Sequence, residues 1–592
     1  MIVNQLLTPY AEKLNPDKLL QEYPRPQLKR SSYLNLNGYW DFHMSTEPVC
    51  HMYDRKILVP FSPESILSGI NEILYPNMYA YYQKEVMLEQ AFVKDLIILH
   101  FGAVDQRCDL FVNDHHVLTH VGGYTPFSVD ITPYIKDDLK LKINLSVTDS
   151  SDTSYHLTGK QRLNHEGIFY TPQSGIWQTV WLESVSKDYL KDITIKPLYD
   201  QSAVFLEVFT DHFHPYTVHI YNHDNELIKT HAADSFKTII ELDSFIPWTP
   251  ENPYLYNVEI IHGNDAISSY FGMCIFERKK DHNGIMRFYL NHQPYFQSGV
   301  LDQGYYSDGL LTAPSDQALI DDIMTMKSLG FNMIRKHIKI ESLRWYYHCD
   351  RLGMLVWQDM ISGSEFKSVV FHHVLSLLHI HLSDRFKKLF GRTNAEGKRL
   401  YENDLRIMLN HLKNVTSICT WVPFNEAWGQ FDTVRITKLI GELDDTRLID
   451  HASGWSDHGV GDYYSRHMYY QKIRFYKRLA KKRIASLTEY GGYSLPIEGH
   501  RYNNDKLFGY KSFETKESYQ KALEDLFVKH LMPNLDKGLS VLVYTQLSDV
   551  EDEVNGLVTY DRRILKVDEQ LMQNLNSRLY SRFKQIMHLD NG

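Results

Sequence analysis

"PYFQSGV" (residues 294–300) followed by "SDQALIDDIMTMKSLGFNMIRKH" (315–337) reads as strand, amphipathic helix, strand. The apolar residues of the middle stretch recur at helical spacing, and both flanks are short apolar runs. The same alternation continues outward. "ESLRWYYHCDRLG" (341–353) is a helix and "MLVWQDM" (354–360) a strand. After a polar insertion at 360–397 come a helix near 399–413 and the strand "SICTWV" (417–422). Then follow a helix at 432–443, strands in "RLIDHAS" (447–453) and "GVGDYYSRHMY" (459–469), a basic helix at 471–482 and the strand "IASLTEY" (484–490). The helix "KESYQKALEDLFVKHL" (516–531), the strand "LSVLVYTQ" (539–546) and a helix at 567–586 complete the run. Eight strands in βα alternation over about 300 residues predict a (β/α)8 barrel for 281–592. A doubly wound open sheet is the alternative, but no Gly-rich phosphate loop follows the first strand.

Upstream the texture differs. Segments such as "RCDLFVND" (107–114), "TPFSVDIT" (125–132), "LKLKINLSV" (139–147) and "TVWLESV" (179–185) alternate apolar and polar residues between turn signals, which predicts an all-β sandwich over 1–185. "DITIKPL" (192–198), "YTVHIYN" (216–222) and "YNVEIIH" (256–262) continue in the same style and predict a second, smaller sandwich over 186–280. No internal repeat or low-complexity stretch interrupts the chain.

Composition narrows the function classes. The 592 residues carry a formal charge of −10, with 43% hydrophobic and 23% charged residues. The one dense basic run is "LAKKR" (479–483), so nucleic acid is not an expected partner, because phosphate binding needs a basic face. No stretch approaches the ~20 apolar residues of a membrane span, and no basic region leads into an apolar one at the start. Five scattered cysteines without a CxxC pair fit reduced thiols, and a cytoplasmic location is expected. Forty Tyr, 28 Phe and nine Trp suit the stacking of sugar rings, although strands favour aromatics in any case.

In such a barrel, chemistry sits at the C-terminal ends of the strands. "TWVPFNEAWGQ" (420–430) puts Glu426 just past the fourth strand, and "SLTEYGG" (486–492) puts Glu489 at the end of the seventh. Burying one carboxylate costs several kcal/mol unless it is paired. Two at one barrel mouth can instead face a glycosidic bond from both sides, one attacking the anomeric carbon and the other protonating the leaving oxygen. Retaining hydrolysis needs them ~5–5.5 Å apart. Two unrelated glutamates in salt bridges are the competing explanation.

The order of motifs across nearly the whole chain resembles glycoside hydrolase family 2, the family of β-galactosidases, β-glucuronidases and β-mannosidases. "LNGYWDF" (36–42), "VPFSPES" (59–65), "LHFGAVD" (99–105), "HVGGYTPFSVDIT" (120–132) and "SGIWQTVWLE" (174–183) resemble its jelly-roll sugar-binding domain. "WTPENPYLY" (248–256) and "YFGM" (270–273) resemble its immunoglobulin-like domain, and "GFNMIRKH", "WVPFNE" and "LTEYGG" its barrel. The resemblance implies Glu426 as acid/base, Glu489 as nucleophile and Asn425 on the sugar's 2-hydroxyl. Tyr469 resembles the tyrosine that donates to the nucleophile. His337, Arg335, His467, Trp428 and Trp455 are further expected sugar contacts, and Asp462 on the sixth strand is a weaker one.

Departures from the family pattern shape the specificity expected. Asn332, Arg335 and His337 are spaced one residue tighter than the family's Asn-x-x-Arg-x-x-His. "GIFYTPQSG" (167–175) lacks the aspartate of β-galactosidases, and "YTQLSDVEDEVNGLVTYDRR" (544–563) lacks the Asn-x-Lys with which β-glucuronidases hold the sugar carboxylate. Asp549, Glu551, Asp552 and Glu553 argue against an anionic sugar unless they pair with Arg562 and Arg563; a solvated loop is their default reading. The expectation is a retaining exo-β-glycosidase on neutral terminal sugars, β-galactosidase-like in architecture. No cofactor or catalytic metal is expected; the partner is an oligosaccharide or glycoside, and homo-oligomerisation is left open. A β-glucuronidase, arabinosidase or mannosidase specificity, or a non-catalytic carbohydrate-binding protein, are the alternatives.

Overall fold

The computed structural model describes residues 5–363, 382–470 and 472–589. Much of the 360–397 insertion singled out in the sequence lies outside them.

In the first sandwich a six-stranded antiparallel sheet runs in the order Arg55–Val59, Gly38–Ser45, Tyr79–Met87, Lys140–Thr148, Arg107–Val112, His115–Val121. A four-stranded sheet (Tyr33–Asn35, Val180–Val185, Leu96–Phe101, Phe127–Asp130) covers it. Period-two patterning decides which side chains face inward: along Lys140–Thr148, Leu141, Ile143, Leu145 and Val147 are buried and the residues between them are not. They meet Trp40, Phe42, Leu99 and Phe101 in one core. Between Asp192 and Phe271, sheets of three and four strands enclose a separate core that includes Val204, Leu206, Val218, Ile220 and Ile260.

The barrel strands are Gln297–Asp302 (β1), Met333–Lys336 (β2), Leu355–Asp359 (β3), Ile418–Val422 (β4), Leu448–Ile449 (β5), Tyr463–Met468 (β6), Ile484–Gly491 (β7) and Leu539–Thr545 (β8). They pair in parallel in the spatial order β5-β4-β3-β2-β1-β8-β7-β6. The β5–β6 seam is bridged by the Asp462 N–H donating to Ile449 O at 2.9 Å. Every residue of β2, β3, β4, β7 and β8 is buried, as expected for strands covered on both faces.

Two elements fall short of the sequence reading. The strand expected over 447–453 is reduced to Leu448–Ile449, and no helix separates it from β6; Gly454, Gly459 and Gly461, all at positive φ, turn the chain instead. The basic helix expected at 471–482 is one turn, Lys477–Ala480. Like charges four apart (Lys477 and Lys481, Arg478 and Lys482) oppose its extension.

The first sandwich reaches over the barrel mouth through its 158–174 segment. Thr158 and Gly159 N–H groups donate to Ser362 O at 3.2 and 2.7 Å, just past β3. The two backbones approach so closely that a β-carbon on Gly363 would lie 2.5 Å from His156 O, which requires glycine there.

Candidate active site

Pro423 follows β4, and the chain then makes a tight turn in which Glu426 (φ 50°) and Ala427 (φ 63°) both take the left-handed conformation. Such backbone is costly for residues other than glycine and persists where surrounding bonds impose it. Here Glu426 N–H donates to Ser453 O at 2.9 Å, Ser453 N–H to Phe424 O at 2.8 Å, and Trp428 N–H to Asn425 O at 2.9 Å. Opposite, the pairing register slips between Arg466 and His467 on β6–β7 and between Leu487 and Tyr490 on β7–β8. Bulges of this kind re-aim side chains beside reactive sites, and these two flank His467 and Glu489.

A carboxylate oxygen of Glu426 and one of Glu489 lie within 4.8 Å of each other, with His467 as the third member of the group. His467 Nδ1 is 2.7 Å from Glu426 Oε1 and 3.4 Å from Glu489 Oε2. Tyr469 O–H donates to Glu489 Oε2. Arg335 is fully buried and all five of its N–H donors are engaged. It forms a fork on Asp359 at 2.9 Å twice, and contacts Asn425 Oδ1 at 2.8 Å, Thr488 O at 3.1 Å and Glu489 Oε1 at 3.3 Å. It therefore orients Asn425 and Glu489. His337 Nδ1 bonds the same Asp359 at 2.9 Å.

Electrostatics follow from burial. Burial pushes the Glu489 carboxyl above the usual carboxylate range; His467 opposes the rise, the Glu426 charge adds to it, and Arg335 and the Tyr469 hydrogen bond pull it back. Two carboxylates this close, out of water, do not both ionise readily, so the pair favours holding one proton. Burial lowers His467 to about 4, which keeps the ring neutral at neutral pH. Ser453 Oγ donates to Thr488 Oγ1 at 2.9 Å and lies 3.1 Å from His467 Nε2. With that donor committed, the neutral ring donates from Nε2, which leaves Nδ1 to accept a proton from Glu426. The Glu426–His467–Ser453 chain of hydrogen bonds thus gives the pair's shared proton a place on Glu426.

The same three side chains are the group among the described residues whose donor atoms converge enough to hold a metal ion. The 2.7 Å contact is a direct hydrogen bond, shorter than the spacing of donors arranged at ~2.0–2.1 Å around a zinc ion.

Of the remaining expected residues, Trp428 is buried with its ring 5.8 Å from that of Phe169, which comes from the first sandwich. Trp455 is buried two residues beyond Ser453, to whose carbonyl its N–H donates at 3.1 Å. Asp462 lies away from the pair: it bonds Ile449 N–H at 2.8 Å and Arg278 at 3.2 Å. The acidic stretch corrects the sequence reading. Asp549, Glu551, Asp552 and Glu553 are all buried. Asp549 pairs with Lys566 at 2.7 Å, and Glu551 accepts from Thr171 N–H and from Tyr305 O–H at 2.8 Å. Arg562 instead pairs with Asp322, and Arg563 with Glu12. Asp549 and Glu551 are thus held in the fold by partners from other segments and do not form a solvated loop.

Tyr510 is a site residue that the sequence does not reveal. Its ring stacks on Tyr469 at 3.5 Å and 2°. It arrives on a long loop after β7, where no periodicity marks it. Asp359, the last residue of β3, is a second such residue and anchors both Arg335 and His337.

A barrel with paired carboxylates at the ends of its fourth and seventh strands, preceded by two β-sandwiches, is the architecture of a multidomain glycoside hydrolase. Residues 27–182 match the sugar-binding domain of glycosyl hydrolases family 2, and residues 286–580 match the TIM barrel domain of that family. The chain belongs to glycosyl hydrolases family 2. It is similar to a β-galactosidase of Thermoanaerobacter pseudethanolicus, 25% identical over 48% of this chain and 39% of that protein. It is also similar to a β-glucuronidase of Streptococcus agalactiae, 23% identical over 68% of each. The chain therefore spans well under half of the first relative's length and about two thirds of the second's. Among solved structures, a β-glucuronidase from an uncultured Clostridium sp. shares the fold with a TM-score of 0.73 and 16% identity, covering 94% of this chain and 99% of that one. Among the described residues, no helix is long and apolar enough to cross a membrane.

Proposed function

We propose that the chain is a retaining exo-β-glycosidase acting on a neutral terminal sugar, with a β-galactoside as the first candidate. The observation that carries the reading is the approach of Glu426 and Glu489 within 4.8 Å, which suits direct attack and falls short of the ~6.5–9.5 Å at which inverting pairs seat a water beside the sugar. Glu489, ionised and oriented by Arg335 and Tyr469, attacks the anomeric carbon and forms a glycosyl-enzyme. Glu426 passes its proton to the departing oxygen, and its carboxylate then takes a proton from the water that hydrolyses the ester, restoring the starting state. Asn425, fixed by Arg335, is positioned for the 2-hydroxyl.

A neutral sugar is favoured by charge. In the segment that lacks Asn-x-Lys stand Glu553 and Asn555, and the following Lys566 is buried against Asp549. The test is a screen of nitrophenyl β-galactoside, β-glucuronide, β-mannoside and α-arabinoside. A neutral glycoside is expected to give the highest kcat/KM, with NMR showing retained configuration in the first-formed product. A highest value on the glucuronide, or an inverted product, contradicts the proposal.

A further inference from the structure

Near the barrel mouth lies a cation that this chemistry leaves unused. Lys160 stands on the segment of the first sandwich pinned to Ser362, is 5% exposed, and accepts a backbone bond from Tyr170 at 3.2 Å. After burial, its charge is the next largest influence lowering His337, to about 3, and it also acts on His467. Among the described residues its ammonium forms one ion pair, with Glu553 Oε2 at 3.9 Å, beyond hydrogen-bond reach. Glu553 is held from closing that gap. Its Oε1 accepts from Asn555 Nδ2 at 3.0 Å and its Oε2 from Gln303 Nε2 at 3.1 Å, while Gln303 is itself tied to Gln546 at 2.6 Å.

The Lys160 ammonium thus keeps its donors available toward Glu553, and a hydroxyl between the two charges can take one of them. An oxygen about 2.8 Å from each of two atoms 3.9 Å apart sees them at roughly 90°, within reach for a hydroxyl that accepts from the ammonium and donates to the carboxylate. A carboxylate in that gap has no proton for Glu553 and is repelled by it. Tyr510 ties the gap to the reacting centre: the charges of Glu426, Glu553 and Glu489 all bear on its hydroxyl, and its ring lies on Tyr469.

We propose that Lys160 of the first sandwich is a sugar-binding residue of the barrel site, gripping with Glu553 one hydroxyl of the neutral terminal sugar. This rests on the reading of the site as that of a neutral exo-glycosidase. The experiment is a cycle on the nitrophenyl glycoside that the wild type turns over fastest. Lys160→Met is expected to lower kcat/KM about 10- to 100-fold, mainly through KM, with the thermal midpoint little changed. Among monodeoxy versions of that glycoside, one should be equally poor with the wild type and should lose nothing further with the variant. Equal losses on the parent and every deoxy analogue, or no loss, overturn the proposal in favour of a packing role or a water-bridged pair. A loss confined to the uronide overturns it in favour of a carboxylate ligand. If Lys160→Met does not fold, Lys160→Gln and Glu553→Gln are read in the same cycle. Saturation-transfer NMR with free galactose, arabinose, mannose and glucuronate reads binding without turnover. A wild type that binds a neutral sugar but hydrolyses nothing, with binding lost in the variant, supports Lys160 and sinks the glycosidase reading; a variant that binds as the wild type does sinks Lys160 alone. A wild type that binds none of the four sugars overturns both.

Discussion

At the level of single residues, Tyr469 makes the most informative contact, because its hydroxyl donates to one oxygen of Glu489 and otherwise meets Thr545 Oγ1 at 3.2 Å. A hydrogen bond to a charged group is worth about 1.5–3 kcal/mol, so Tyr469→Phe should lower kcat/KM by roughly 10- to 100-fold. The sign of its pH effect is also fixed. The bond pulls the Glu489 pKa down, so removing it raises that pKa, and the acid limb of the kcat/KM profile should move to higher pH. A profile that stays in place would separate Tyr469 from the nucleophile. Glu426 and Glu489 were legible in the sequence because each stands at the end of an apolar run, where a strand's C-terminus must be. Tyr510 was not, because it sits on a loop and its ring partner, Tyr469, belongs to another segment of the barrel.

At the level of elements, what the sequence carried was periodicity, and long periodic elements came through. What it did not carry were local breaks: the glycine turns that shorten β5, and the register slips that turn His467 and Glu489 toward each other. Such breaks depend on neighbouring strands. Tertiary burial also sets the titration of the first sandwich. Asp149, just past the Lys140–Thr148 strand, is pushed up to about 7 by burial, offset in part by its bond from Ser151 N–H. A folded pKa above the unfolded one means that the protonated form supports the fold, and that this support is lost as pH rises from about 4 through 7. Asp149→Asn escapes that loss. The variant should gain about 2 kcal/mol relative to the wild type between pH 5 and pH 8, seen as a growing difference in thermal midpoint. A constant difference across that range would contradict the assignment.

At the level of the whole molecule, the barrel mouth is completed by another domain. Glu551 on the loop after β8 receives Thr171 N–H at 3.1 Å on both oxygens and Tyr305 O–H at 2.8 Å, and His165 lies 3.2 Å away. Glu551→Ala leaves the Thr171 N–H without its partner and Tyr305 O–H with only the longer bond to Thr171 O at 3.3 Å, a loss of about 1–3 kcal/mol. It should lower the thermal midpoint and raise KM more than it lowers kcat, in steady-state assays beside a thermal melt. An unchanged KM would mean that the first sandwich stabilises the barrel without shaping its site. Domain order was readable from the change in texture near residue 285, whereas this contact joins residues 380 apart and left no local trace.

The central claim is the division of labour between Glu489 and Glu426, and it is tested most directly with the dinitrophenyl glycoside of whichever sugar the wild type prefers. That leaving group departs without a proton. Glu426→Ala should therefore form the glycosyl-enzyme in a rapid burst, stall for want of a base, and recover turnover when azide is added. On substrates that need protonation the same variant should lose ~10²–10⁴-fold. Glu489→Gln should show no burst and no turnover on any substrate, with or without azide. Azide rescue of Glu489→Gln with retained configuration, and none of Glu426→Ala, would show the two roles to be reversed.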